Sequence, residues 1–289
     1  MKRGSAARAR TRGAGRDERA GRGNALEPIL ASTRTALTRR RLTVPMAALE
    51  RAERERFESG GIRSFRDALA RPGLSIVAEH KRRSPSAGTI REDLTLEEVV
   101  DAYQRAGAAA VSVLTEGPHF GGSLEDLCAA RRTTALPLLR KDFIVDVYQL
   151  HEALAAGADA VLLIVAALTD SELGRLHEQA AALGLAALVE IHDQDELERA
   201  ARIGATLIGI NNRDLTTLEV DTRRTLELAP RVPDGSLIVA ESGFTRSGEL
   251  EQLSKAGIDA VLVGEALMRS ADVEAACRAL TSDPTRPRH

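Results

Sequence analysis

A short apolar run follows a glycine at regular intervals along most of this chain. The strings AGAAAV at 106–111, AGADAV at 156–161 and AGIDAV at 256–261 share one shape, and IGATLI at 203–208 is a looser copy. A helix that ends on a left-handed glycine and leads directly into a buried strand produces this pattern. The runs are apolar on both strand faces, which is typical of a parallel sheet covered by helices. The repeat therefore predicts a succession of strand–helix units.

Eight strand–helix units can be placed after residue 74. The predicted strands lie near residues 75–80, 109–115, 137–141, 160–166, 186–191, 207–211, 237–241 and 260–264. The predicted helices lie near residues 95–106, 123–133, 147–156, 171–183, 194–203, 220–229, 247–256 and 271–281. An open doubly wound sheet is the alternative, but no GxGxxG motif follows the first strand. We therefore predict an α/β fold, a (β/α)8 TIM barrel over residues 75–282.

Other segments flank the predicted barrel. Residues 1–24 hold eight Lys or Arg and almost no large apolar residue, so we predict a disordered basic tail rather than a nucleic-acid or membrane tether. Residues 283–289 are predicted to form a second disordered tail. Residues 25–74 have helical periodicity with a break at Pro45, which indicates an N-terminal helical extension. Its predicted apolar faces comprise Leu26, Ile29, Leu30 and Leu37, and then Met46, Leu49 and Phe57.

The composition argues against several classes of protein. No apolar run approaches the ~20 residues that span a bilayer, and no apolar segment of a secretory signal follows the basic tail. A net charge of −2 argues against a general nucleic-acid binder. Two cysteines, and six histidines without ligand spacing, indicate neither a disulfide scaffold nor a metal site. We expect a cytoplasmic protein that binds neither nucleic acid nor membrane.

Polar residues cluster where the predicted strands end. In a (β/α)8 enzyme the active site lies at these carboxyl ends. Strand by strand, the candidates are Glu79, Lys81, Ser84 and Ser86; Glu116 and Phe120; Lys141 and Asp142; Glu190 and His192; Asn211, Asn212, Arg213 and Asp214; Glu241, Ser242 and Gly243; and Gly264 and Glu265. Only four of the 40 basic residues are lysine, and two of those four are in this set. A retained lysine indicates a need for an amine whose pKa can move.

Lys141 and Glu190 are the strongest candidates for proton transfer. Apolar residues flank Glu190, so we expect burial to raise the pKa of its carboxyl group, as a general acid or base would need. Similar burial is expected to lower the pKa of the Lys141 amine. The alternative for each residue is a structural ion pair. His192 is expected either to contact a site residue without contacting the ligand or to lie on the surface.

Glycine-containing turns end the last two predicted strands. Ser242–Gly243 and Gly264–Glu265 occupy the place where such barrels often bind phosphate through backbone N–H groups. The alternative is that these glycines serve only tight turns. Ser84 adds a hydroxyl group from the long, basic loop after the first strand. The pattern predicts a small-molecule ligand that carries phosphate.

These segments together resemble the indole-3-glycerol phosphate synthase family. The matching strings are AEHKRRSPSAG, VSVLTEGPHFGGS, LRKDFIVDVYQ, AGADAVLLIVAAL, LVEIHD, IGINNRDL, VAESGF and LVGEALM, and SFRDAL at 64–69 resembles part of the family's N-terminal extension. The resemblance implies a lyase of tryptophan biosynthesis. Its reaction closes the indole ring of 1-(2-carboxyphenylamino)-1-deoxyribulose 5-phosphate and releases CO2 and water. No metal or organic cofactor is implied, and we expect a monomer or a weak homodimer.

The resemblance also implies catalytic roles. Lys141 matches the general acid that protonates the ketone oxygen during ring closure, and Glu190 matches its acid/base partner. Lys81 matches a lysine that holds the substrate carboxylate and serves as an acid in dehydration. Glu79 is expected near the reacting centre, and Asn211 is expected to orient the catalytic groups.

The implied binding residues surround the same substrate. Arg213 is expected to orient it, and Phe120 and Phe143 match aromatic residues that pack around its anthranilate ring. The implied phosphate site comprises Ser84, Ser242, Gly243, Gly264 and the adjoining Glu265.

Three other functions are compatible with such a barrel. A phosphate-binding isomerase would carry a Cys/Asp or Asp/Asp pair at its strand ends, whereas this chain carries Lys and Glu. A class I aldolase would use Lys141 as a Schiff-base nucleophile. A barrel that only binds a phosphorylated ligand would show affinity without turnover.

Removal of residues 1–24 is expected to leave turnover and thermal stability nearly unchanged, because this segment lacks the apolar residues to join a core. The measurement compares the activity and melting temperature of the truncated and full-length chains. A loss of several degrees on truncation would show that the tail is part of the fold.

Overall fold

A closed barrel of parallel strands dominates the computed structural model, which describes residues 26–244 and 246–282. The eight barrel strands are β1 (Ser75–His80), β4 (Ala110–Leu114), β5 (Leu138–Lys141), β6 (Ala160–Ile164), β7 (Ala186–Ile191), β8 (Leu207–Asn211), β9 (Leu237–Glu241) and β10 (Ala260–Val263). Each strand pairs with the next one along the chain, and β10 pairs with β1 to close the barrel. A two-stranded hairpin, β2 (Arg83–Ser84) and β3 (Gly88–Thr89), follows β1. The predicted (β/α)8 fold is confirmed, and the tails predicted at 1–24 and 283–289 lie outside the described residues.

Helices cover the outside of the barrel. They are α4 (Leu96–Arg105), α5 (Leu124–Thr133), α6 (Val147–Ala156), α7 (Asp170–Ala182), α8 (Gln194–Arg202), α9 (Arg223–Leu228), α10 (Ser247–Lys255), the short α11 (Glu265–Met268) and α12 (Val273–Thr281). The sequence sets several of their starts, since Thr95 and Thr169 each form a capping box with the glutamate three residues on. No helix in the described part of the chain is both long and apolar enough to cross a bilayer.

The glycine repeat behaves as the sequence predicts. Gly107, Gly157, Gly204 and Gly257 have φ angles of 85°, 102°, 71° and 77°, in the left-handed region that a side chain disfavours. The repeat has a second function in two of its copies. Asp159 and Asp259 each accept a hydrogen bond, 2.8 Å long, from the first or second backbone N–H of the preceding barrel strand. In these two copies the glycine ends a helix, and the aspartate two residues later forms a hydrogen bond to the neighbouring strand.

The N-terminal extension forms three helices, α1 (Leu26–Thr43), α2 (Met46–Glu58) and α3 (Phe65–Leu69). Leu26, Ile29, Leu37 and Leu49 are buried as expected, but Phe57 is 53% exposed, so its predicted place on the apolar face is wrong. The buried face of α2 continues from Leu49 through Glu53 and Arg56, and position 57 lies beside that face. The five residues of α3 are too few for helical periodicity to be visible in the sequence.

Arg56 of α2 fastens the extension to the barrel. Its guanidinium group donates to the Leu154 carbonyl at 2.8 Å and to Asp159 Oδ1 at 2.7 Å. Asp159 also accepts from the Arg63 backbone N–H at 2.8 Å and from the Arg131 side chain. Because this carboxylate is buried, its charge is balanced by two guanidinium groups rather than by water.

Asp159→Ala is expected to lower the free energy of unfolding by about 3–5 kcal/mol, because two guanidinium groups lose their buried partner. Asp259→Ala is the matched control, since it loses one hydrogen bond to the Ile238 N–H at a half-buried site. A loss of about 1 kcal/mol is expected for the control. Urea unfolding of both variants tests this, and equal losses would contradict the role given to Asp159.

Candidate active site

A cavity of about 340 Å³ opens at the carboxyl ends of the barrel strands. This volume lies at the lower end of the range of small-molecule sites, about 300–1,000 Å³. The sequence analysis gives 13 residues a catalytic, substrate-binding or phosphate-binding role, and twelve of them line the cavity: Glu79, Lys81, Phe120, Lys141, Phe143, Glu190, Asn211, Arg213, Ser242, Gly243, Gly264 and Glu265. The fold thus brings residues from seven strand ends and their loops into one site.

Of the 13 residues, Ser84 alone does not line this cavity, and the other strand-end candidates outside its lining are Ser86, Glu116, His192, Asn212 and Asp214. Ser84 is held elsewhere by its own loop. It lies in β2 and lines a separate small hollow with Pro118 and His119. Its hydroxyl accepts from the Ala87 N–H at 3.2 Å and is 3.4 Å from the Ser86 hydroxyl. The role of Ser84 at the substrate stays a prediction.

A cluster of four charged side chains forms the floor of the cavity. Alternate barrel strands β1, β5, β7 and β9 contribute Glu79, Lys141, Glu190 and Glu241, which is how the layers of such a barrel are built. Lys141 Nζ lies 3.1 Å from Glu190 Oε2 and 3.1 Å from Glu241 Oε2. We call these four residues the floor cluster. At its edge, Lys81 Nζ lies 2.8 Å from Glu79 Oε1.

The floor cluster reverses the pKa shifts expected from the sequence. Burial acts to lower the pKa of Lys141, but the carboxylates of Glu190, Glu241 and Glu79 outweigh it, so the pKa is raised. Burial acts to raise the pKa of Glu190, but the Lys141 ammonium and the nearby polar groups of His192 and Asn211 outweigh it, so the pKa is lowered. Both expected directions are therefore wrong. Burial was read correctly from the flanking apolar residues, whereas the charges across the barrel were not visible in the sequence.

Glu241 is the carboxylate whose pKa is raised, and sequence reasoning gave it no role. Burial and the nearby Glu190 carboxylate raise its pKa to about 8, although the Lys141 ammonium opposes them. Apart from Lys141, no group in the described part of the chain offers a hydrogen bond to either carboxylate oxygen of Glu241. One sequence signal pointed to it: the ends of the first, third, fifth and seventh barrel strands all carry a charged residue at the inward position.

His192 lies directly behind Glu190. Its Nε2 is 3.4 Å from Glu190 Oε1, and its Nδ1 is 3.0 Å from Glu196 Oε2. Burial acts to lower the pKa of His192, but these two carboxylates outweigh it and raise the pKa to about 10. A charged imidazolium here helps to keep Glu190 ionised, which agrees with the supporting position expected for His192.

The turn after β9 holds an unusual backbone conformation at the rim of the cavity. Ser242 has a φ of 64°, which is rare for a residue with a side chain, and Gly243 follows with a φ of 92°. Asn212 Nδ2 donates to the Glu241 carbonyl at 3.1 Å and to the Ser242 carbonyl at 3.0 Å. Asn212 Oδ1 in turn accepts from the Thr225 hydroxyl at 2.8 Å. Sequence reasoning placed Asn212 at a strand end without recognising that it holds this turn.

Gly264 is a glycine because Glu79 occupies the adjoining space. A Cβ atom at position 264 would lie 2.4 Å from Glu79 Oε1, and the φ of Gly264 is −124°, so the tight-turn alternative does not account for it. The next residue, Glu265, accepts a hydrogen bond from Arg269 Nε at 3.0 Å. The Glu265 side chain is therefore paired with the Arg269 guanidinium group. An anion at this position is suited to the backbone N–H of Glu265 and not to its carboxylate.

Aromatic and basic side chains form the walls. The Phe120 and Phe143 rings lie 6.2 Å apart at an angle of 42°. Arg213 donates to the Leu218 carbonyl at 2.9 Å, and its backbone N–H donates to Asn211 Oδ1 at 3.0 Å. The cavity lining therefore contains two lysines and two arginines, Arg213 and Arg269, beside an apolar wall that suits a ring.

Residues 26–280 match the family model of indole-3-glycerol phosphate synthase. Relatives with that name come from Parafrankia sp. (49% identical over 86% of this chain and 92% of the relative), Mycobacteroides abscessus (42%, over 92% and 96%) and Koribacter versatilis (45%, over 88% and 98%). A thiamine phosphate pyrophosphorylase from Pyrococcus furiosus superposes with a TM-score of 0.55 over 72% of this chain and 94% of its own; at 20% identity this shows the fold alone. On these matches, the chain belongs to the indole-3-glycerol phosphate synthase family.

Proposed function

We propose that this protein converts 1-(2-carboxyphenylamino)-1-deoxyribulose 5-phosphate into indole-3-glycerol phosphate, CO2 and water, as a carboxy-lyase of L-tryptophan biosynthesis. The observation that carries the proposal is a lysine ammonium held 3.1 Å from each of two buried glutamates on the cavity floor. Together with the family assignment, it supplies the acid and the base that this reaction needs.

Ring closure calls for an acid at the ketone oxygen. A bond forms between the ketone carbon and the aromatic carbon that carries the carboxylate, and the electron pair of the C=O bond moves to oxygen. That oxygen takes a proton from Lys141, which the surrounding carboxylates keep charged before substrate binds. The carboxylate then leaves as CO2, its bonding electrons restore the aromatic ring, and the reaction needs no oxidant or reductant.

Dehydration calls for a base and an acid together. The hydroxyl group formed from the ketone oxygen leaves as water once it is protonated, and a proton must be removed to complete the double bond. Glu190 is ionised and can take this proton, and its carboxylate becomes a stronger base once Lys141 has given up the charge that lowers the pKa of Glu190. We assign the acid of this step to Lys81, which lies at the edge of the floor cluster beside Glu79.

The walls match the remaining groups of the substrate. The phosphate suits the backbone N–H groups around Ser242–Gly243 and Gly264–Glu265, where the chain turns at the rim. The substrate carboxylate suits Lys81, with Arg213 nearby in the wall, and the anthranilate ring suits the surface formed by Phe120 and Phe143. Both ends of the substrate are then fixed while the floor cluster faces its ketone.

The class I aldolase alternative is disfavoured by the electrostatics. Schiff-base formation needs a neutral amine, and lysines that form imines usually have a lowered pKa. The three carboxylates of the floor cluster raise the pKa of Lys141 instead.

The purified protein is expected to form a product with indole fluorescence when the carboxyphenylamino substrate is added. Glu190→Gln keeps the size of the side chain but removes the titrating group, so turnover should fall at least ~10²-fold. Absence of product from the wild-type chain would refute the proposed function. Wild-type turnover in the variant would refute only the role of Glu190.

Borohydride treatment with substrate present is expected neither to inactivate the enzyme nor to add mass at Lys141, because a general acid forms no bond to carbon. Lys141→Arg should be severely impaired, because the larger planar guanidinium group cannot take the place of the single ammonium that lies 3.1 Å from both Glu190 and Glu241. Mass spectrometry of the peptide that contains Lys141 is the measurement. Substrate-dependent mass on that lysine would favour the covalent mechanism.

A further inference from the structure

The barrel wall below the floor cluster has one position without a side chain. The intervening strands β4, β6, β8 and β10 place their next inward-facing residues there: Ser112, Leu162, Gly209 and Leu262. Gly209 pairs in register with Glu190 and lies between the strands that carry Glu190 and Glu241. The gap is therefore directly beside two members of the floor cluster.

The Glu241 carboxylate fills this gap. A Cβ atom at position 209 would lie 2.2 Å from Glu241 Oε1, 3.4 Å from Glu241 Cδ and 3.3 Å from Leu188 Cδ1. Gly209 does not have a positive φ, so its backbone conformation is open to any residue. The space that Glu241 occupies is thus the steric reason for glycine at this position.

We propose that Gly209 is a positioning residue, which seats the Glu241 carboxylate within the barrel wall and thereby fixes the Lys141 ammonium between Glu241 and Glu190. Lys141 Nζ is equidistant from these two carboxylates, at 3.1 Å from each. A methyl group at position 209 would push Glu241 out of its seat and remove one of the two contacts that centre the ammonium. Where the inference concerns turnover, it rests on the proposed function.

The position of the Glu241 carboxylate beside Gly209 also controls its protonation. Inside the wall this carboxylate has no hydrogen-bond donor other than Lys141 in the described part of the chain, and burial raises its pKa. A displaced carboxylate would lie closer to the open cavity, where water solvates the charged form. Its pKa should then fall toward the ordinary value of a glutamate.

The test compares Gly209→Ala with Gly174→Ala. At Gly174, in α7, an added Cβ atom would meet only Ile203 Cγ2, at an ordinary contact distance of 3.8 Å. We expect Gly209→Ala to lower kcat about 10–100-fold with KM changed less than about threefold, because a shift of about 1 Å in a catalytic group can cost about 10²-fold. The control should keep wild-type kcat. Wild-type kcat in Gly209→Ala would overturn the proposal.

A double-mutant cycle separates positioning from general damage to the barrel. Glu241→Ala removes the atoms that the new methyl group would strike, so Gly209→Ala should change kcat less than about threefold in that background. If Gly209→Ala costs the same factor with and without Glu241, it acts on the strand itself, and the proposal fails. If Gly209→Ala alone folds poorly, the double variant can still be compared with Glu241→Ala, because the double variant lacks the clash with the Glu241 carboxylate.

A measurement without substrate keeps this inference separate from the proposed function. Protein labelled with ¹³C at the glutamate carboxyl carbon gives an NMR signal for Glu241, assigned by its absence in Glu241→Gln. The pKa of this signal should be lower in Gly209→Ala than in the wild type and unchanged in Gly174→Ala. An unchanged titration in Gly209→Ala would overturn the inference, whether or not the wild-type chain turns over the carboxyphenylamino substrate.

Discussion

The contact between the Lys141 ammonium and the carboxylates around it is the interaction on which the site depends. Removing charges from water is costly, and three carboxylates around one ammonium leave an excess of negative charge on the cavity floor. Burial together with that excess explains why one member, Glu241, has a raised pKa while Glu190 stays ionised. The arrangement keeps Lys141 in its charged, proton-bearing form until substrate binds. The chemistry therefore follows from how the charges are balanced rather than from any one residue.

The rest of the fold holds this unfavourable cluster in place. Below it, the inward-facing Val77, Leu139, Leu188 and Val239 are buried and supply the apolar packing that the floor lacks. Beside it, Arg140 Nη2 donates to Asp142 Oδ2 at 2.8 Å, and Asp142 Oδ1 accepts from the Phe143 N–H at 2.8 Å. Arg140 also lies 3.5 Å from Glu152, which pairs with Arg40 of α1 at 2.6 Å. The N-terminal extension thus contacts, through a chain of charges, the loop that carries Phe143.

The sequence predicted whatever depends on neighbours in the chain. Glycine caps and apolar runs placed all eight strands to within about two residues, and the strand ends supplied every charged or polar residue of the cavity lining except Arg269. Features that depend on contacts between residues distant in the chain could not be predicted in this way. The pKa directions of Lys141 and Glu190 depend on opposite sides of the barrel, and the place of Ser84 depends on a hairpin within a loop. Strand β6 also ends at Ile164, two residues before its predicted end at 166, because Val165–Ala167 forms a 3₁₀ helix.

The scarcity of lysine has a practical consequence for attaching the protein to a support. Among the described residues, Lys81 and Lys141 have side chains that are 17% and 14% exposed and engaged by carboxylates, whereas the Lys255 side chain is 72% exposed. Lys255 ends α10, and β10 begins shortly after it, so it lies at the end of the barrel opposite the cavity. An amine-reactive resin that captures the protein through Lys255 would hold the barrel with its open end facing the solution.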